Sequence, residues 1–426
     1  MTLFSLPQVR AALWMASSGG LVLLGYECLR SASNSLFKAE YGTGGLPFLM
    51  ALLPFVILPA LAGYNRLLVW VGAKRTLFLC HLIASALILA CYSAIQAGFV
   101  PATGVLCLIR DVYVVILIEQ HWSFLNSILK QEQAQRLNGL IMTIASVGAV
   151  LGGFLAHLVA ERIGSVALVL TPVACALPSL FLIDIAYRGG ASSFEEKRQK
   201  KQGLWASVVP LFRENPVLPA LLFMVTMSQT YGTLIDLGFQ ECLLRSYPSV
   251  DKQTAVSGLF FSASNVLSLV FQLFLTPWLL TTYSSTRIHM AIPWLHLVCI
   301  TLCICAPGIW TLGAALLLFK AVDYSLFRGA KELLYIPLSF SVRFQAKECI
   351  DILGYRGSKS VASSLLFFAK KFGGYTFTPL SLSWLGAASL LGWVQASLWM
   401  RGRGGDDCSE REIEITPTLQ VKKEAS

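Results

Sequence analysis

Apolar residues come in twelve long stretches, separated by short polar segments. A helix needs about 20 apolar residues to cross a hydrocarbon core about 30 Å thick. Stretches near that length fall at 11–36, 46–63, 76–97, 101–128, 139–160, 163–186, 216–240, 256–281, 288–306, 309–327, 360–378 and 381–400. Their apolar character is continuous, not confined to one stripe, as expected for helices surrounded by other helices and lipid. The fourth contains Arg110 and Asp111 and the eleventh Lys370 and Lys371, so these two are the least apolar. The predicted fold is an all-α polytopic membrane protein of about twelve transmembrane helices. Residues 187–215, with the run Glu195-Glu196-Lys197-Arg198-Gln199-Lys200-Lys201, read as a tether between two six-helix bundles, 1–186 and 216–400. A second polar stretch covers 328–359, and 401–426 reads as a disordered tail.

Composition sharpens this picture. Of 426 residues, 55% are apolar and 13% charged, and mean hydropathy is +0.66. A soluble globule could not hide that much apolar surface. The net charge of +10 is therefore read through the excess of Lys and Arg on the cytoplasmic side of membrane proteins, not as a nucleic-acid signal. With the N-terminus and the loops after even-numbered spans inside, that side holds 24 of 33 Lys/Arg, and the opposite loops hold four, Lys38, Arg162, Arg245 and Lys252. Both termini are thus expected in the cytoplasm. Glu27 and Arg30 spoil residues 11–29 as a cleaved signal segment, so a retained first helix is expected. Eleven Cys form no CxxC pair and five His form no HExxH spacing. Reduced thiols, no metal site, no cofactor and no enzymatic activity are expected.

Ionisable residues inside spans cost roughly 2.5–3.5 kcal/mol by insertion scales, and they persist where they meet a wet cavity or a partner. Here they concentrate in the first, fourth, seventh, tenth and eleventh spans: Glu27 and Arg30; Arg110, Asp111 and Glu119; Asp236; Lys320 and Asp323; Lys370 and Lys371. Glu27 and Arg30 share a helix face, as do Lys320 and Asp323. The halves also show faint parallel symmetry. Tyr26 corresponds to Tyr231, Arg110 to Lys320 and Arg75 to Arg287, at offsets near half the chain. Parallel six-helix repeats mark major-facilitator-type transporters, in which the first, fourth, seventh and tenth helices surround the pathway. The loop Tyr64-Asn65-Arg66 to Gly72-Ala73-Lys74-Arg75 is similar to the basic loop after the second helix in such proteins.

One stretch is more specific. Asp323-Tyr324-Ser325-Leu326-Phe327-Arg328-Gly329-Ala330-Lys331-Glu332-Leu333-Leu334-Tyr335-Ile336-Pro337-Leu338 is followed by Ala346-Lys347, Ile350-Asp351, Gly354, Arg356 and Lys359-Ser360. It resembles the tenth-helix signature of the ATP/ADP translocase family of obligate intracellular bacteria and plastids. Tyr26, Leu29 and Arg30 resemble that family's Tyr-x-x-Leu-Arg. The resemblance implies a major-facilitator-like fold, nucleotide exchange across a bacterial inner membrane, and a transport role for Lys331. At three positions where the family carries charge, this chain has Ser33, Gln120 and Phe239.

Three readings follow. The first is alternating-access exchange of nucleotides or related anionic metabolites, with Arg30, Arg110, Lys320 and Lys331 attracting phosphates. Glu27, Asp111, Glu119, Asp236 and Asp323 would orient those bases. The second is a proton-coupled carrier of another small solute, using a protonatable Glu119 or Asp236. The third is a non-transporting membrane scaffold. The expected partners are a small-molecule substrate and the lipid bilayer, without nucleic acid, and the chain is expected to work as a monomer.

Overall fold

The computed structural model describes residues 7–129, 131–190, 212–213, 215, 217–335, 346–347 and 349–402. Among them the regular elements are all helical. They are α1 (Pro7–Tyr41), α2 (Leu46–Val71), α3 (Ala73–Gln96), α4 (Pro101–Ile128), α5 (Gln131–Ile163), α6 (Ser165–Leu168), α7 (Thr171–Gly190) and α8 (Val217–Ser246). Then come α9 (Val250–Val270), α10 (Thr276–Thr282), α11 (Ser285–Cys305), α12 (Ile309–Val322), α13 (Arg328–Leu334), α14 (Ser358–Gly373) and α15 (Pro379–Met400). A helical segment lies at each of the twelve expected spans. Ten are long and apolar enough to cross a membrane unaided, the last being Ile309–Leu334. The final two fall short of that measure. The charged run 195–201, the Ile336-Pro337-Leu338 end of the tenth-helix motif and most of the expected tail lie outside the described residues.

The chain divides into two compact units, Met1–Arg198 with Leu244–Val266, and Gln199–Leu243 with Leu267–Ser426. In the first, α1 packs against α4, α5 and α7. Lipid tails are as apolar as leucine, so close contact and not solvent exclusion must hold such helices together. Glycine supplies the contact. A Cβ on Gly148 of α5 would collide with the backbone of Gly20 on α1, and one on Gly152 with the backbone of Leu24. The same unit contains most of α9, as far as Val266. There Asp251 accepts from the backbone N–H and hydroxyl of Ser165 at 2.6 Å each, and Ser262 donates to the Val150 carbonyl at 3.0 Å.

The second unit is built on α8, α11, α12 and α15, and Trp393 and Tyr231 are fully buried within it. Among the described residues its helices are interrupted by π-helical turns at Phe271–Leu275, Asp323–Phe327 and Ile350–Gly357. Such turns widen the helix locally and often mark functional sites. Helix α14 ends at Gly374, whose φ of +67° is a left-handed conformation that glycine adopts without cost. Lys370 and Lys371 are therefore in an exposed last turn, not in mid-span as the apolar pattern to residue 378 suggested. Lys38 moves the other way. It was expected in an outer loop, but α1 continues to Tyr41 and buries it. The ten described cysteines are free thiols.

Candidate functional site

Among the described residues, expected site residues gather in a charged cluster within each unit. In the first unit Glu27 and Arg30 project from the same face of α1 and pair at 3.4 Å. Asn265 of α9 donates to Glu27 at 3.4 Å. The Arg30 guanidinium lies 3.6 Å from the centre of the Phe261 ring and 5.9 Å from that of Tyr26. One helical turn further, Arg110 of α4 is enclosed. Its Nε and Nη2 clasp both oxygens of Asp111 at 3.0 Å, and its Nη1 donates to Ser33 at 2.9 Å and Asn34 at 2.6 Å on α1. Ser33, where the translocase family carries a charge, thus serves as an acceptor for Arg110.

In the second unit Asp323 is buried at the start of its π-turn. It accepts from Gln229 of α8 at 2.9 Å and lies 3.6 Å from Arg328. Lys331, one turn on, is 3% exposed and donates to Asp351 at 2.9 Å. Around these charges stand tyrosines. Arg328 is 4.8 Å from the Tyr324 ring and 5.1 Å from Tyr355, and Lys331 is 4.6 Å from Tyr355 and 5.9 Å from Tyr335. The buried hydroxyls of Tyr335 and Tyr355 have no hydrogen-bond partner among the described residues. A cation flanked by aromatic faces suits a phosphate joined to a flat ring: the cation meets the charge and the tyrosines meet the ring.

The other expected residues stand apart. Lys320 and Asp323 do not pair, because the π-turn opening at Asp323 carries its carboxylate toward Gln229 and Arg328. Lys320 is half-buried and forms no hydrogen bond or ion pair among the described residues. Asp236 accepts from Gln240, one turn along α8, at 3.4 Å. Glu119 is exposed and forms no hydrogen bond or ion pair among the described residues, while its neighbour Gln120 is buried and donates to the Ala73 carbonyl at 2.9 Å. Phe239 is buried in the hydrophobic interior. Of the basic loop, Lys74 pairs with Asp184 of α7 at 2.7 Å, which also holds Arg188.

Sequence reasoning missed several members of these clusters. Tyr324, Arg328, Asp351 and Tyr355 lie in or beside the quoted motif, and counting its aromatics alongside its cations would have raised them. Phe261, Asn265 and Gln229 had no such signal, since each is a neutral residue on a distant helix.

No protein-family model matches the chain. Solved structures are similar to it at low identity. A nucleoside transporter, NupG, aligns with a TM-score of 0.66 at 13% identity, over 92% of this chain and 99% of that one. A bacterial homologue of the iron transporter ferroportin, in an inward-facing state, gives 0.66 at 11% identity over 95% and 99%. A D-xylose-proton symporter gives 0.63 at 13% over 91% and 96%. The chain is thus a multi-pass helical membrane protein with the major-facilitator-type fold that these transporters share.

Proposed function

We propose that this protein is a membrane transporter that exchanges nucleotides or related anionic metabolites by alternating access. It would be built as two six-helix halves with both termini in the cytoplasm of a bacterial cell. The observation that carries this reading is the set of Arg328, Lys331, Tyr324, Tyr335 and Tyr355, gathered at the stretch that resembles the ATP/ADP translocase signature. Lys320 adds a half-buried cation without a partner among the described residues, and an unpaired charge inside a span is costly unless a ligand compensates it. Lys331 is held by Asp351, which is 46% exposed at its side chain and can yield to a phosphate. Arg30 and Arg110 are engaged by Glu27, Asp111 and α1 polar groups, so on this reading they orient the first unit, and the basic grip comes from the second. The test is uptake of radiolabelled nucleotide into liposomes containing the protein. Uptake stimulated several-fold by nucleotide on the opposite side supports exchange, and uptake indifferent to it excludes exchange. The second reading, proton-coupled carriage, is favoured by Glu119, an acid on α4 with no hydrogen bond or ion pair among the described residues. It predicts transport that collapses with a protonophore and in Glu119→Gln.

A further inference from the structure

A chain of polar side chains runs through the interior of the first unit, away from the charge clusters. His121 of α4 meets Ser18 of α1 through its Nε2 at 3.0 Å. Ser18 meets Ser179 of α7 at 2.8 Å, and Ser179 meets the Nε2 of His81 of α3 at 3.2 Å. Each ring is tied at its other nitrogen to a backbone carbonyl one turn back, His81 Nδ1 to Leu77 at 2.9 Å and His121 Nδ1 to Leu117 at 2.7 Å. All four side chains are at most 3% exposed.

Counting hydrogens shows what this chain requires. It has five contacts in series: carbonyl to ring, ring to hydroxyl, hydroxyl to hydroxyl, hydroxyl to ring, ring to carbonyl. Each contact joins two lone-pair atoms and needs one hydrogen between them. A neutral imidazole carries one N–H and a serine one O–H, so the four side chains supply four. Whatever tautomers are chosen, one contact faces lone pair to lone pair. A single imidazolium adds the fifth hydrogen and completes the series. We propose that His81, Ser179, Ser18 and His121 form one proton-binding site, which takes up a single proton shared between two histidines.

Every ring nitrogen of the two histidines is taken by a serine hydroxyl or a backbone carbonyl, so no carboxylate joins the series. Among the described residues, no other titratable group on a neighbouring element is hydrogen-bonded to the series. Tyr64 on α2, Cys80 on α3 and Glu119 on α4 lie outside it, and Asp184 on α7 is taken by Lys74 and Arg188. A second proton would set two imidazoliums within one buried network, with ring centres 6.3 Å apart. The hydrogen count offers it no contact to fill, so the capacity is one. Because the series crosses α1, α3, α4 and α7, proton uptake strengthens the ties among four helices and links this unit's stability to pH. The site is independent of cargo and goes beyond the exchange reading.

The test uses the full-length protein in nanodiscs. Proton uptake on acidification from about pH 8 to about pH 3, a range that reaches well below free imidazole titration, is compared between wild type and Ser179→Ala. That variant leaves three contacts and three hydrogens, so it is complete without an added proton. Ser18→Ala leaves the same balance and serves if the first variant does not fold. Wild type is expected to take up one proton more per chain than either. In wild type, ¹⁵N-imidazole NMR is expected to show His81 and His121 moving together through one transition. Equal uptake in wild type and variants, or two histidines titrating in separate steps, would overturn the proposal. None of these readings requires transport, so failure of nucleotide exchange would leave the result intact.

Discussion

The enclosure of Arg110 makes a quantitative prediction. Arg110→Ala removes a two-point clasp on Asp111 and two bonds to α1. Breaking a buried ion pair by deleting one partner costs about 3–5 kcal/mol. Here the Asp111 side chain is 26% exposed and recovers some hydration, which lowers the expected cost to about 2–4 kcal/mol. Asp111→Ala leaves the guanidinium, 10% exposed at its side chain, still bonded to Ser33 and Asn34. Its cost should be at the upper end of the same interval, about 3–4 kcal/mol, since the stranded charge is the better buried one. The double variant removes both charges together. It should be milder than the sum of the singles by about 1–3 kcal/mol, the range for residues in direct contact. The assay is equilibrium unfolding in mixed detergent micelles, with the four proteins measured as a cycle. Additivity within about 0.5 kcal/mol would refute a structural clasp. Unchanged stability with transport lost in Arg110→Ala would refute it differently, by showing the guanidinium is held for cargo.

Lys320→Ala should reduce nucleotide exchange roughly tenfold or more, equivalent to about 1.4 kcal/mol, with unfolding changed by less than about 0.5 kcal/mol; a large stability loss would mean the lysine has a protein partner. Asp351→Asn should destabilise more than Lys331→Ala in the same unfolding assay, by about 1–2 kcal/mol, because it strands a buried ammonium while the converse change strands a half-exposed carboxylate. Gly148→Ala should cost about 1–3 kcal/mol by forcing α5 from α1, whereas Gly63→Ala, with open space around its Cα, should be neutral or mildly stabilising. Thr378→Ala should cost about 1 kcal/mol by removing the side-chain acceptor for the Ser381 N–H at the start of α15.

Hydropathy alone located the helices, because a bilayer imposes one length and one chemistry on any segment that crosses it. The expected spans and the observed helices differ mainly at their ends, where local signals intervene. Gly374 stops α14 early, and α1 runs on through Lys38 because nothing before Gly42 breaks it. The pairing of Glu27 with Arg30 was also legible, since three residues along one helix fix a shared face. The same rule failed for Lys320 and Asp323, where a π-turn changes the winding at the second residue. What hydropathy cannot carry is which side chains meet across helices. Arg110 with Ser33 and Asn34, Asp323 with Gln229, and His81 with Ser179 and Ser18 are separated by many tens of residues. Their meeting depends on helix rotation and on approach distances set by glycines such as Gly20 and Gly148. Length and apolarity, properties of each segment by itself, were thus determined by the sequence read alone. The azimuth of every buried polar group was decided only when the helices packed, because a hydrogen bond tolerates a few tenths of an ångström and a hydropathy pattern has no such resolution.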